Sequence, residues 1–200
     1  MDASAKSTSG LLLVISGPSG VGKTTIARHV ERELGGVFSV SMTTRPKTDK
    51  DTEGVDYTFV DPAEFERQRD AGELLEWARV FENYYGTPRR PVIEALERGE
   101  LIILEIDVEG AVQVKHHLPE AFAIFIEPPN EQALLERLRS RQREDESVIQ
   151  RRFAKARLEI ERARSSNAYD RFIVNDDLSE AMGRATELVT SRRHIASDSK

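Results

Sequence analysis

A glycine-rich segment near the amino end constrains the fold of this chain more than any other feature. Residues 17–24 read Gly-Pro-Ser-Gly-Val-Gly-Lys-Thr, which fits the G-x-x-x-x-G-K-[ST] pattern of a phosphate-binding P-loop. The apolar run 11–16 before it predicts a buried strand, and residues 24–34 after it predict a helix that ends at Gly35. A strand, a glycine-rich loop and a helix in this order predict the start of an α/β fold.

The residues of this loop are suited to bind nucleotide phosphates. Glycines let successive backbone N–H groups point at one anion, and the helix N-terminus adds a partial positive charge. Lys23 is expected to reach the β- and γ-phosphates, and the Thr24 hydroxyl is expected to bind Mg²⁺. The alternative is a strand–helix turn that binds no ligand. The predicted ATP-binding residues in this segment are Gly17, Pro18, Ser19, Gly20, Val21, Gly22, Lys23, Thr24 and Thr25.

Composition excludes several classes of protein. Cysteine is absent, which rules out disulfides, thiolate metal sites and cysteine catalysis and fits a reducing cytoplasm. The net charge of −6 does not favour binding of the whole chain to nucleic acid. No apolar run approaches the ~18 residues needed to cross a membrane. Residues 1–10 are expected to form a disordered leader, and residues 194–200 a disordered tail.

Strand and helix signals alternate along the chain, which predicts a parallel sheet with crossover helices. Besides 11–16, predicted strands span residues 37–41, 56–60, 74–80, 101–107, 121–126 and 172–175. Capping residues predict four helix starts, at Asp61, Asn130, Ser147 and Ser179.

Residues 43–88 differ from the rest of the chain, because their strands are short and alternating rather than continuously apolar. We therefore expect an inserted small mixed α/β lobe at 43–88. Residues 11–42 and 89–193 are expected to form a core of the P-loop NTPase type, a parallel sheet flanked by helices.

The predicted lobe carries side chains suited to a purine monophosphate. Arg45, Tyr57 and Tyr85 are candidates for a phosphate site, since a planar guanidinium donates bidentately. Glu76 lies in an otherwise apolar run, and a carboxylate accepts from both the N1–H and the exocyclic amino group of guanine. Adenine lacks the N1 donor, so a carboxylate here selects guanine. The alternative for Glu76 is the solvent-facing side of an alternating strand.

Two acids and a basic cluster complete the candidate groups. Glu105 and Asp107 end the predicted strand 101–107, and in P-loop enzymes such an acid helps to hold Mg²⁺. The alternative is that both acids simply face solvent. Arginines recur over residues 137–143 and at 151–152, and composition alone describes them equally well as a solvated surface loop.

Five segments together resemble the guanylate kinase family. They are SGPSGVGKTT at 16–25, SVSMTTR at 39–45, NYYGT at 83–87, LEIDVEG at 104–110 and VNDD at 174–177. They occur in the family's order and at its spacing, and the resemblance covers about residues 11–193. It implies that the lobe binds GMP and that a helical lid, at about residues 137–152, closes over ATP.

The resemblance also implies roles for individual residues. The guanine base is expected against Ser41, Glu76 and Asp107, and its phosphate against Arg45, Tyr57 and Tyr85, with Thr87 nearby. Asn175 matches the adenine side of the ATP site. The implied catalytic residues are Lys23, Arg45, Arg137, Arg141 and Arg152.

Three positions depart from the family's pattern. The family usually has a second arginine where this chain has Thr48, and Lys50 or Lys47 is a candidate substitute in binding GMP. Arg141 lacks the glycines that usually flank this lid residue. The first acid of segment 104–110 is Glu105, where aspartate is common.

The implied activity is transfer of the γ-phosphoryl group of MgATP to GMP or dGMP, giving ADP and GDP. The expected partners are ATP and GMP, with no nucleic acid and no membrane, for a cytoplasmic monomer or homodimer. One alternative is a non-catalytic guanylate-kinase-like module that binds peptides, which the intact Lys23 and Thr24 disfavour. Another is a related kinase for a different phosphorylated acceptor, which Glu76 and residues 83–86 disfavour.

Overall fold

The main sheet carries the P-loop at its centre. The computed structural model describes residues 10–141 and 145–198, with side chains for 10–140 and 145–194. The five strands are β1 (Leu11–Ser16), β2 (Val37–Phe38), β7 (Leu101–Glu105), β8 (Phe122–Glu127) and β9 (Arg171–Val174). They are parallel in the order β2-β7-β1-β8-β9, so the predicted parallel sheet is confirmed.

Helices cover both faces of this sheet. The helices of this part of the chain are α1 (Lys23–Leu34), α3 (Arg89–Glu97), α4 (Val108–His117), α5 (Glu131–Arg141), α6 (Glu146–Ser165) and α7 (Leu178–Asp198). One face packs against α1 and α7 through residues such as Ile26 and Val189, and the other packs against α3 and α4 through Val92 and Val114. Because β1 is covered on both sides, all six of its residues are buried, which explains its continuous apolar run.

A second, smaller sheet contains β3 (Met42–Thr43), β4 (Thr58–Phe59), β5 (Leu74–Val80) and β6 (Asn83–Pro88). Its order is β4-β3-β6-β5, with a parallel β3–β4 pair and antiparallel β3–β6 and β5–β6 pairs. Helix α2 (Pro62–Asp70) packs on it through Phe65, which is fully buried with Met42 and Leu74. The division into a lobe at 43–88 and a core stays a prediction, and the second sheet runs from residue 42 to residue 88.

Two of the four predicted helix caps are confirmed. Asp61 Oδ1 accepts from the Glu64 N–H at 2.8 Å, and Asn130 Oδ1 accepts from the Ala133 N–H at 2.8 Å. The cap at Ser147 is wrong, because α6 begins at Glu146 after Asp145. The cap at Ser179 is also wrong, because Asp177 Oδ1 accepts from the Glu180 N–H at 2.9 Å. In both places several capping residues are adjacent, and the local sequence does not choose among them.

Other boundaries differ from the predictions as well. The strand expected at 37–41 has only two residues, since the chain leaves the main sheet and enters the second one at β3. The strand expected at 101–107 ends at Glu105. Helix α7 continues to Asp198, whereas a tail was expected from residue 194, because rising polarity does not by itself end a helix. Over the described residues, no helix is long and apolar enough to cross a membrane.

Candidate active site

The P-loop curls at the carboxyl end of β1. Gly17, Gly20 and Gly22 have φ values of 150°, 87° and 95°, a region that L side chains rarely adopt. A Cβ atom on Gly22 would also lie 2.7 Å from Asn175 Nδ2. The Lys23 ammonium donates to the carbonyl oxygens of Gly17 at 2.7 Å and Pro18 at 3.0 Å. The loop therefore holds a cation and the first N–H groups of α1 together, as anion binding requires.

Thr24 and Glu105 meet beside this loop. Thr24 Oγ1 donates to Glu105 Oε1 at 2.7 Å, so a hydroxyl and a carboxylate oxygen are adjacent. Mg²⁺ prefers oxygen ligands and usually keeps several waters while sharing phosphate oxygens. In the described parts of the chain, no cluster of three or more His, Cys, Asp or Glu could hold a metal alone. The residues therefore fit a Mg²⁺ ion that is completed by a nucleotide and water.

A cleft on the other side of the P-loop contains two buried polar atoms without partners among the described residues. It is lined by Gly20, Gly22, Arg137 and Asn175, among others. Asn175 Nδ2 donates to the Val21 carbonyl at 2.8 Å, whereas Asn175 Oδ1 and Arg137 Nη1 have no hydrogen-bond partner in the part of the chain that the structure describes. An orphaned acceptor and an orphaned cationic donor suit a ligand with an amino group and negative charge.

The segment expected to form the lid comprises the end of α5 and the start of α6. Arg152 Nη2 donates to Ser19 Oγ of the P-loop at 2.6 Å, joining residues 133 positions apart. Arg137 lines the adjoining cleft and donates to the Asp176 carbonyl at 3.3 Å. Arg141 is the last residue of α5. Its side chain, and residues 142–144 of the expected lid, lie outside the described part of the structure.

Glu76 lies on the second sheet in an almost fully buried position, 6% exposed. Its Oε1 accepts from Thr87 Oγ1 at 2.6 Å, across the β5–β6 pair. The pKa of Glu76 is raised to about 7, mainly because the carboxyl group is buried. The hydrogen bonds from Thr87 lower this pKa, and the negative charge of Asp107 raises it further. The solvent-facing alternative for Glu76 is therefore wrong, since its carboxyl group is held inside the protein beside a second acid.

Asp107 belongs to helix α4 rather than to the end of a strand. It is the N-cap, and its Oδ1 accepts from the Gly110 N–H at 2.9 Å. A Cβ atom on Gly110 would lie 3.0 Å from Glu76 Oε2 and 3.4 Å from Asp107 Oδ1. Glu76 and Asp107, which sequence analysis assigned to one base site, therefore meet at the start of α4.

Arg45 lies at the centre of a cluster of charged and aromatic side chains. Its guanidinium donates to both Asp51 oxygens, at 2.8 and 3.0 Å, and lies 5.5 Å from the ring centre of Tyr57. The rings of Tyr57 and Tyr85 are 5.7 Å apart, so these three predicted phosphate ligands do come together. The hydrogen bond from Arg45 is the main cause that holds the pKa of Asp51 well below its ordinary value, and the hydrogen bonds from Thr48 are the second.

Asp51 is a residue that sequence analysis missed. Thr48 donates to it twice, from its N–H and its hydroxyl, each at 2.7 Å. The only local signal was a short polar turn of the kind that Asp and Thr side chains stabilise. Lys50 is exposed, and among the described residues no hydrogen bond or ion pair joins its side chain to Arg45, Tyr57 or Tyr85. Ser41 is half-buried, and its carbonyl accepts from the Thr58 N–H at 2.9 Å.

Residues 9–192 match the family model described as guanylate kinase. The chain belongs to the guanylate kinase family. The resemblance inferred from the P-loop, the Arg45 segment and the residues around Tyr85 is thereby confirmed, together with the α/β fold class.

Named members of the family share nearly half of their residues with this chain. A guanylate kinase of Gloeobacter violaceus is 49% identical over 89% of the chain and 86% of its own length. One of Myxococcus xanthus is 44% identical over 96% of the chain and 92% of its own length. Among solved structures, the guanylate kinase of Anaplasma phagocytophilum matches with a TM-score of 0.69 and 34% identity, covering 93% of this chain and 87% of that one. The match to guanylate kinases thus extends over the P-loop and the second sheet together.

Proposed function

We infer that this chain is an ATP:GMP phosphotransferase that converts ATP and GMP to ADP and GDP. The observation that carries this inference is the buried Glu76 carboxyl group, bonded to Thr87 and facing Asp107, in a protein with an intact P-loop. A carboxylate in this position offers two acceptors to the N1–H and amino group of guanine. The same site fits dGMP, because these contacts involve only the base.

We propose that the two nucleotides bind on opposite sides of the P-loop end of the main sheet. ATP binds with its phosphates on residues 17–25 and its adenine near Asn175, whose orphaned Oδ1 is suited to accept from an amino group. GMP binds at the second sheet, with its phosphate on Arg45, Tyr57 and Tyr85 and with Ser41 near its base. Lys50 is the proposed substitute for the guanidinium that Thr48 does not supply.

In the reaction, an oxygen of the GMP phosphate attacks the γ-phosphorus as the bond to the ADP oxygen breaks. No dedicated base is required, because a phosphate monoester is already anionic near neutral pH. Lys23 supplies positive charge at the P-loop, and Arg137, Arg141 and Arg152 supply it from the lid. Mg²⁺, held by Thr24 with Glu105 beside it, would neutralise phosphate charge when bound. Closure of the lid excludes water and so prevents hydrolysis of ATP.

We further propose that the protein works in the cytoplasm in purine nucleotide metabolism, as a monomer or a homodimer. The absence of cysteine supports the reducing compartment. No residue described above needs a second copy of the chain to complete the site.

Release of ADP from MgATP, measured with a panel of nucleoside monophosphates, tests this function. We expect turnover of GMP and dGMP, and turnover of AMP, CMP and UMP lower by up to ~10⁴-fold, since a site built for hydrogen bonds rejects a base that lacks them. Omission of Mg²⁺ should abolish turnover with every acceptor. Equal turnover of AMP and GMP would contradict the assignment of Glu76. Absence of turnover with every nucleotide would instead favour a peptide-binding module.

A further inference from the structure

Strand β5, which carries Glu76, lies at the edge of the second sheet. Among the described residues the outer edge of β5 pairs with no strand, and side chains of helix α4 instead satisfy three of its backbone groups. Gln113 Oε1 accepts from the Trp77 N–H at 3.1 Å, and Gln113 Nε2 donates to the Trp77 carbonyl at 3.0 Å. His117 Nδ1 donates to the Leu75 carbonyl at 2.7 Å. The side-chain amide of Gln113 therefore takes the place of a neighbouring strand.

These contacts bracket Glu76 on both sides. Leu75 and Trp77 are its immediate neighbours, so the backbone on either side of the carboxylate is tied to one helix. Successive side chains of a strand point to opposite faces, and a rotation of the Trp77 peptide would therefore redirect Glu76. The buried carboxyl group has little freedom to compensate by changing its own rotamer, because it is held by Thr87.

The two α4 residues in this contact share one face of the helix with Gly110 and with the N-cap residue Asp107. Asp107, Gly110, Gln113 and His117 are spaced by three, three and four residues, which brings them to the same side. Asp107 is the second acid of the base site, and Gly110 leaves the space that Glu76 Oε2 occupies. One helix face thus carries one base-site acid and holds the strand that carries the other.

We propose that Gln113 is a positioning residue for recognition of the guanine base. It fixes the Trp77 peptide against α4 and thereby sets the distance between the carboxylates of Glu76 and Asp107. At this distance the two carboxylates can together accept from the N1–H and the amino group of guanine. The inference rests on the proposed function, in which Glu76 accepts from the base. Gln113 itself does not touch the substrate.

The test compares GMP with IMP, which keeps the N1–H but lacks the amino group at position 2. In Gln113→Ala, we expect kcat/KM for GMP to fall about ten-fold, the effect of weakening one charge-assisted hydrogen bond. The value for IMP should fall less, so that the GMP-to-IMP ratio drops. The KM for ATP should not change. The control is Gln132→Ala, which removes an exposed glutamine that donates to Glu136 on α5.

A double-mutant cycle separates positioning from general destabilisation. If Gln113 acts through Glu76, adding Gln113→Ala to Glu76→Gln should leave the GMP-to-IMP ratio unchanged. Gln113→Glu, which keeps the length and the acceptor for the Trp77 N–H, provides a second variant should the alanine variant fail to fold. It is expected to retain more of the GMP-to-IMP ratio than alanine does.

Three outcomes would overturn the proposal. A guanine-selective wild type with an unaltered ratio in both Gln113 variants would reject the inference alone. If kcat/KM fell by the same factor for GMP, IMP and ATP, Gln113 would have only a structural role. Wild-type protein that accepts AMP as readily as GMP would reject the proposed function, and the inference with it.

Discussion

Replacement of the buried Glu76 with glutamine should stabilise the protein while impairing its recognition of GMP. The pKa of this carboxyl group rises from its ordinary value of 4.5 to about 7, chiefly through burial. A raised pKa means that the folded state prefers the protonated acid. As the pH rises from 4.5 towards 7, the unfolded chain releases this proton while the folded protein retains it, so stability falls.

The size of the effect follows from the shift. Because the pKa rises from 4.5 to about 7, at roughly 1.4 kcal/mol per pKa unit, ionised Glu76 costs about 3 kcal/mol of stability at pH 8. At pH 5.5 the cost is only about 1 kcal/mol, because the folded state still holds the proton. Little of this is screened by solvent, since Glu76 is 6% exposed. Glutamine has the same shape and no charge to bury.

Urea unfolding at pH 5.5 and pH 8 provides the measurement. We expect the free energy of unfolding of Glu76→Gln to exceed that of the wild type by about 3 kcal/mol at pH 8 and by about 1 kcal/mol at pH 5.5. The matched control is Glu66→Gln, at an exposed position on α2, which should change little at either pH. A gain that is absent, or that is the same at both pH values, would refute the reasoning.

Activity should follow the opposite trend with pH. In the proposed site only ionised Glu76 can accept from both guanine donors, so in the wild type kcat/KM for GMP should decline as the pH falls below about 7. In Glu76→Gln this decline should disappear, together with most of the preference for GMP over AMP. A stable variant with impaired recognition would show that the buried carboxyl group is retained for function at a cost in stability.

The remaining predictions concern the phosphate groups. Lys23→Ala and Arg152→Ala should each lower kcat on the order of 10³-fold, since both cations are proposed to meet the transferring phosphoryl group. Steady-state kinetics in which only the KM for ATP changes would contradict this expectation. Lys50→Ala should raise the KM for GMP several-fold with little effect on the KM for ATP, and the same measurement on Lys47→Ala decides between the two candidate lysines. Thr48→Arg should lower the KM for GMP, and an unchanged KM in all three variants would leave Arg45 and the two tyrosines as the whole phosphate site.

The sequence alone determined the features that depend on neighbours in the chain. The strand, P-loop and α1 helix were predictable because an apolar run, glycines and a helix period follow one another directly. The caps at Asp61 and Asn130 were predictable for the same reason, whereas those at Ser147 and Ser179 failed where several capping residues compete. The family's motifs predicted which residues form the base and phosphate sites, since residue type and spacing are properties of the sequence.

The tertiary structure decided which of these groups meet and what surrounds them. Gln113 bonds to the Trp77 backbone across 36 positions, and Arg152 reaches Ser19 across 133. The burial that shifts the pKa of Glu76 comes from elements on both sides of β5, and no local pattern reports it. Contacts between distant segments depend on how helices and sheets pack, and a pKa depends on the dielectric and charges that this packing creates. The sequence therefore shows which residue types are present and how they are spaced. Which side chains contact one another, and how their pKa values shift, is set only by the folded chain.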